Sequence, residues 1–280
     1  MLAILDTPVE IVERVDGEVL PPGPPRIEVD HVNYSYRPRP GQAAADVVPA
    51  LSDVTFTIEP TTSVAVVGAT GSGKTTLAKV LTRLADPAAG AVRIAGHDLR
   101  DVSTASLRST MVMVPQDAFL FDTDILENVR FGRRDASDEE IHLAFTELGL
   151  EDWLETLTNG LATKVGERGE HLSAGERQLV ALARAYVANP SCLVLDEATS
   201  AVDAATEARL GRALESLSRG RTSITIAHRL STAARSDWVL VFQNSRLVEQ
   251  GHHDDLVRRG GVYAGLHDSW LDATSVGAAG

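Results

Sequence analysis

The residues GATGSGKT at 68–75 constrain this chain more than any other feature. The apolar run SVAVV leads straight into them, and KTTLAKVLTRLA follows at helical spacing. Every fixed position of G-x-x-x-x-G-K-[ST] is matched in a strand–turn–helix context. Gly68, Gly71 and Gly73 let the backbone bend around a phosphate chain that side chains would block. The helix after them aims unpaired N–H groups and its positive end at those phosphates. Lys74 adds a point charge toward β- and γ-phosphates, and the Thr75 hydroxyl suits Mg2+.

Further short apolar runs surround this unit. CLVLDE, TSITIAH and DWVLVFQN read as buried strands, separated by helical stretches such as DAATEARLGRALESLS. GAVRIAG and STMVMVP are further strand candidates. Buried strands alternating with helices predict an α/β fold, a central parallel sheet covered on both faces. RIEVDHVNYSY and LSDVTFTIEP alternate apolar and polar residues instead, which predicts an antiparallel β portion near the N-terminus. RPRPGQAAADVVP between them reads as an irregular loop, and residues 124–160 read as mainly helical, with Ser137 or Asp138 as an N-cap. Residues 1–25 end in LPPGPP, and proline there marks a linker rather than a core element.

Aromatics make up only 5% of a chain that is 44% hydrophobic, so the core must be built of Ala, Val, Leu and Ile. A formal charge of −13 argues against nucleic acid as a partner, since phosphate contacts require clustered Lys and Arg. The single cysteine, Cys192, lies in a strand-like run and reads as a small buried hydrophobe. No stretch approaches the roughly twenty apolar residues of a membrane span, and no signal-peptide layout opens the chain. It is therefore expected to be soluble.

Other residues extend the phosphate site. CLVLDEATS delivers Asp196 to the carboxyl end of a strand, where open α/β sheets bind ligands. Asp196 there would hold Mg2+, and the adjacent Glu197 could orient an attacking water; a solvated helix start is the alternative reading of the two carboxylates, the weaker one beside a complete phosphate loop. Gln116 after MVMVP and His228 after TSITIA stand at further strand ends. LSAGERQ at 172–178 opens another helix with Ser173 as its N-cap, and so offers a second anion site. One nucleotide cannot easily use two phosphate-binding helix starts of a single fold. A pair of chains, each offering its second helix start to the other's γ-phosphate, is the economical solution.

GATGSGKT, Gln116, LSAGERQ, CLVLDEATSAVD and His228, in this order, resemble the nucleotide-binding domain of an ATP-binding cassette protein over roughly residues 26–270. VPQDAFLFDTDILENVRFG, TKVGERGEHLSAGERQ and LVEQGHHDDL resemble its exporter branch. LAILDTPVEI resembles the segment joining the last membrane helix to this domain, which makes residues 1–25 a linker from a membrane domain and 26–272 the cassette. A helical subdomain is expected at about 117–190 and a disordered tail at 273–280. The resemblance implies ATP and Mg2+ as cofactors. It assigns Gly68, Ala69, Thr70, Gly71, Ser72, Gly73, Lys74, Thr75 and Thr76 to the phosphates and Tyr36 to the adenine. Thr75, Gln116 and Asp196 become the metal site, Gln116 also sensing the attacking water. Glu197 becomes the general base and His228 a γ-phosphate contact, with Lys74 beside them. Ser173 and Gly175 would serve a second domain's ATP, and Asp203 the turn crossing between domains.

Implied partners are a transmembrane domain and a second nucleotide-binding domain, with the cytoplasmic face of a membrane as the location. Phe119 and Phe121 would touch the membrane domain or pack in the core. Two departures from the usual LSGGQ stand out, Ala174 and Glu176, the latter a negative charge near a polyphosphate unless it points away. Lys164 stands where exporters often carry an acidic residue. Other readings are a non-hydrolysing regulatory cassette, a soluble cassette ATPase without transport, and a P-loop kinase or GTPase. The last leaves LSAGERQ unexplained. His252, His253, Asp254 and Asp255 are adjacent, and side chains so placed on a helix do not converge on one metal ion.

Overall fold

The computed structural model of the chain describes residues 11–38, 43, 47–196, 203–227 and 229–277. Its first half contains β1 (Ile27–Tyr34), β2 (Leu51–Ile58), β3 (Ser63–Gly68), α1 (Lys74–Leu81), β4 (Ala89–Ile94), β5 (His97–Asp98), α2 (Thr104–Thr110) and β6 (Met111–Val114). Helices α3 (Ile125–Arg130), α4 (Asp138–Glu147), α5 (Glu151–Thr156) and α6 (Ala174–Ala188) follow. The remainder holds β7 (Cys192–Asp196), α7 (Ala204–Ser218), β8 (Thr222–Ile226), α8 (Leu230–Arg235), β9 (Trp238–Gln243), β10 (Arg246–Gly251), α9 (His253–Arg259) and α10 (Val262–Gly277). None of the described helices is long and apolar enough to cross a membrane.

Among the described residues the strands form two sheets, an antiparallel one in the order β2-β1-β4-β5 and a larger one in the order β10-β9-β3-β8-β7-β6. The larger sheet is parallel from β9 to β6, with β10 antiparallel at one edge. This is the expected combination of a parallel core sheet and an N-terminal antiparallel portion. The period-2 alternation of side chains divides the large sheet between separate cores. Val64, Val66, Val194, Ile226, Leu240 and Phe242 face α1 and the antiparallel sheet. Their neighbours Ala65, Val67, Val239 and Val241 face Leu256 and Tyr263 of the C-terminal helices. Leu193 and Leu195 face α6 and α7. Cys192 lies in the first of these cores, where burial pushes its thiol up to about 12.

In the antiparallel sheet the alternation slips. Ile27 and Val29 point inward, then Val32, and the register of β1 with β2 shifts between Val29 and Val32. His31 and Asp53 both adopt positive φ there, and His31 Nδ1 lies 2.6 Å from Asp53 Oδ1. A bulge keeps both apolar sets on one face.

Between β6 and β7 the chain builds a helical layer. Ser137 and Glu140 form a capping box that starts α4. Asn189 in left-handed conformation and then Pro190 end α6. Arg184 on α6 donates from Nε to the Asn128 carbonyl at 2.8 Å, and from its guanidinium to Phe119 O at 3.1 Å and Asn128 Oδ1 at 3.0 Å. Asn128 is fully buried; it accepts from Phe121 N at 2.9 Å and donates to the carbonyls of Phe121 and Asp124.

Residues 18–25 and 262–277 are more structured than expected of a linker and a tail. From Glu18 to Pro25 the proline-rich strap is fastened to the domain. Glu18 N donates to Asp101 O, Ser103 N to Glu18 O, Leu20 N to Ser106 Oγ and Thr222 Oγ1 to Pro25 O. Leu20 is buried in the first core, so this part of the linker contributes to it. At the other end α10 runs to Gly277 and covers 273–277, where a disordered tail is expected from composition. Tyr263, Leu266 and Trp270 dock the helix, and extending a docked helix costs far less than starting one. Nearby, His253 Nδ1 lies 2.7 Å from the Tyr263 hydroxyl, and His252 packs edge-on against Trp238.

Replacing Asn128 by alanine takes one of three acceptors from the Arg184 guanidinium and leaves the Phe121 N–H without one. Denaturant unfolding is expected to show a loss of about 2–4 kcal/mol, and a loss below 0.5 kcal/mol would contradict the bonding described.

Candidate active site

Strand β3 lies between β9 and β8, so its carboxyl end opens at the middle of the parallel sheet. There the chain turns through residues 69–73 into α1. Gly68 has φ 148°, and a Cβ on it would stand 2.1 Å from Phe242 O. Gly73 has φ 107°, and a Cβ would stand 2.5 Å from Ala50 O. Both positions exclude side chains by conformation and by space. Gly73 is also the N-cap of α1 and supplies no side-chain cap, which leaves the first N–H groups of the helix open to a ligand.

Lys74 is only 6% exposed. Its Nζ donates to Gly68 O at 2.8 Å and to Ala69 O at 2.9 Å, so the cation sits inside the ring of the loop. Burial pushes its pKa below the usual lysine range, and the nearby Asp196 carboxylate opposes that shift. Lys74 and Asp196, 122 residues apart by number (196 − 74), are thus brought into one electrostatic environment. Ser72 Oγ is buried without a hydrogen-bond partner, in a loop shaped to receive acceptor oxygens. These features fit a nucleotide's phosphates. Thr75 is exposed at the first turn of α1, and its hydroxyl together with the Asp196 carboxylate and the Gln116 amide is an all-oxygen set of the kind hard cations take.

Tyr36 is 45% exposed beside α1. Its hydroxyl lies 3.1 Å from Thr76 Oγ1, and Lys79 Nζ stands 5.4 Å from its ring centroid. Thr76 itself is buried and faces this tyrosine. Gln116 is exposed two residues beyond β6, at the same end of the sheet as Gly68 and Asp196 but on its edge strand. Glu197 and His228 lie outside the described residues; their neighbours Asp196 and Ala227 end or follow β7 and β8 at the carboxyl side.

The second helix start is built differently. Ser173 Oγ accepts from Glu176 N at 3.3 Å, and Glu176 Oε2 accepts from Ser173 N at 2.8 Å, a complete capping box. Ser173 is exposed and Gly175 buried. The Glu176 carboxylate turns inward, where Oε1 accepts the indole N–H of Trp153 at 3.0 Å. Burial alone would raise its pKa; the hydrogen bonds from Trp153 and Ser173 outweigh that and hold it below the usual glutamate range. Asp203 caps α7 by accepting from Ala205 N and Thr206 N, and its charge is felt by Glu176. Among the described residues, no hydrogen bond or ion pair joins Ser173 or Asp203 to residues 68–76.

Sequence reading missed several partners. Trp153 sits in LEDWLETL with no motif to mark it. Lys164 Nζ lies 3.0 Å from Asp124 Oδ2, a pairing visible only when the start of α3 and the segment between α5 and α6 come together. Phe119 and Phe121 are 53% and 43% exposed, so core packing does not account for them. Phe131 stacks on Phe121 with centroids 4.2 Å apart and completes an exposed aromatic cluster.

Comparison with known proteins agrees with this geometry. Residues 51–200 match the family model described as "ABC transporter". The chain is 43% identical over 254 residues to the uncharacterized ABC transporter ATP-binding protein YknV of Bacillus subtilis, covering 91% of this chain and 39% of that protein. It is 41% identical over 265 residues to the beta-(1→2)glucan export ATP-binding/permease protein NdvA of Rhodopseudomonas palustris, covering 95% and 43%. Among solved structures, a bacterial Atm1-family ABC exporter with ATP bound superposes with a TM-score of 0.85 at 38% identity, over 96% of this chain and 46% of that one. The chain thus spans less than half the length of these relatives. With the family match covering more than half its residues and falling on the phosphate loop, this chain belongs to the ABC transporter family.

Proposed function

We propose that the chain binds and hydrolyses ATP as the nucleotide-binding part of an exporter, dimerising head-to-tail with a second such domain. The observation that carries this reading is the pairing of two helix starts. One is uncapped, with buried Lys74 inside its loop; the other presents Ser173, exposed at the start of α6. The Atm1-family exporter of similar structure has ATP bound, and NdvA is by its description an export ATP-binding/permease protein; both support the assignment.

ATP would lie with its adenine against Tyr36 and its phosphates over residues 68–76. Lys74, already desolvated, interacts strongly with the β- and γ-oxygens. Thr75, Asp196 and Gln116 would hold Mg2+, which when bound neutralises phosphate charge. Glu197 takes the proton of the attacking water, and His228 contacts the γ-phosphate. Ser173 and Gly175 of each chain complete the other chain's site, and Asp203 stands at the turn between them. Catalysis then rests on positioning and charge stabilisation. Closing and opening of the dimer would drive a transmembrane domain on the cytoplasmic face of a membrane, docked over the exposed cluster of Phe119, Phe121 and Phe131.

Lys74→Ala is expected to weaken ATP binding at least about tenfold, since it removes a charge-assisted contact worth over 1.4 kcal/mol; titration calorimetry on the folded variant decides it, and unchanged affinity would sink the site assignment. Glu197→Gln should trap the closed state. Light scattering of that variant should give twice the monomer mass with Mg-ATP and the monomer mass with Mg-ADP, whereas a monomer in both, with ATP demonstrably bound, argues against self-complementary pairing. Ser173→Ala should leave ATP affinity of dilute protein intact and depress turnover as the protein is concentrated. An equal loss at every concentration would point away from a role toward a second chain.

A further inference from the structure

Glu176 occupies the place where the usual signature has glutamine, and the structure gives a chemical reason for the carboxylate. Two N–H donors converge on it from different directions. The Trp153 indole reaches Oε1 at 3.0 Å, and the Ser173 backbone N–H reaches Oε2 at 2.8 Å. An ionised carboxylate is acceptor-only and satisfies both donors at once. A primary amide has one accepting oxygen and one donating nitrogen, so whichever way it is turned, a donor faces a donor.

The two donors are not equal. Trp153 is 2% exposed, its ring stacked with Phe145 at 6.2 Å between centroids, so its N–H cannot turn to water. Ser173 is exposed, and its N–H can. With an amide in place of the carboxylate, the oxygen would go to the indole and the Ser173 N–H would be lost from the capping box. Without the indole, a glutamine would serve well, because glutamine and glutamate are interchangeable at the third position of a capping box.

We infer that Trp153 and Glu176 are a matched pair: the buried indole demands a carboxylate at 176, and that carboxylate positions Ser173 at the start of α6 for a second copy's nucleotide. Glu176 acts through Ser173 and is a positioning residue; it points into its own chain rather than toward a phosphate. The role toward a second copy rests on the head-to-tail reading given above. The pairing itself does not.

Three variants test it: Glu176→Gln, Trp153→Phe, and the two together. Melting without nucleotide reads the pairing. Glu176→Gln should lower the melting temperature by about 3 °C, and adding Trp153→Phe should recover most of that loss, although Phe is the smaller ring. Additive losses overturn the pair. Turnover measured against protein concentration reads the positioning. Glu176→Gln should reduce kcat about tenfold in the concentrated protein with little change in KM for ATP, and the double variant should regain it. Recovery of melting temperature without recovery of kcat overturns the positioning role. If the unaltered chain shows the same specific activity at all concentrations, the head-to-tail reading fails and the positioning role fails with it, while the melting experiment still judges the pair.

Discussion

A lysine buried to 6% exposure inside its own loop is the constraint around which the centre of this molecule is arranged. An ammonium that has lost its water needs oxygens close by, and Lys74 takes two of them from the carbonyls of Gly68 and Ala69. Those carbonyls can turn inward only because positions 68 and 73 have backbone conformations and clearances that no side chain tolerates. The third compensation, Asp196, comes from β7, two strands away across β8. The strand order therefore does more than build a core. It sets a carboxylate and a cation at the same end of the sheet, on strands flanking β8, where charged ligands can be exchanged for internal contacts.

The two helix starts solve the same problem in opposite ways. Gly73 offers α1 no cap, so its N–H groups remain available to an incoming anion. Ser173 and Glu176 cap α6 fully, which at first looks incompatible with a role in binding. A hydroxyl resolves the conflict. Ser173 Oγ uses a lone pair to accept from Glu176 N, and its hydrogen, shared with the Glu176 carboxylate, can rotate to another acceptor. Capping then fixes the oxygen about which that hydrogen rotates.

Local patterns made much of this architecture legible in advance. The loop at 68–75, the apolar run before Asp196 and the helix opened by Ser173 each carry their instruction in consecutive residues. Features that depend on meetings between distant segments were not legible. Nothing in LEDWLETL says that its indole will face α6, and nothing in LPPGPP says that its leucine, Leu20, will enter the core. The slip of inward positions from Val29 to Val32 became interpretable only when the His31–Asp53 bulge was seen. Tail composition misled for a related reason. Trp270 and Tyr263 anchor α10 well before the glycine- and alanine-rich end, and the helix is carried onward from that anchor.

Helix α6 links two surfaces that the sequence leaves unrelated. Its first turn holds Ser173, and its Arg184 is bonded to the carbonyls of Phe119 and Asn128 and to the Asn128 side chain. Asn128 in turn holds both the N–H and the carbonyl of Phe121. The exposed aromatic cluster is thus hung from the middle of the same helix whose start is capped by Glu176. A half-buried guanidinium with several planar bonds resists shear far better than apolar contacts, which slide at little cost. Any rigid displacement of the α6 start must carry the loop at 119–121 along, or else break the charge-assisted bonds of Arg184 to it. Since each such bond is worth about 1.5–3 kcal/mol, the two surfaces are expected to move as one body.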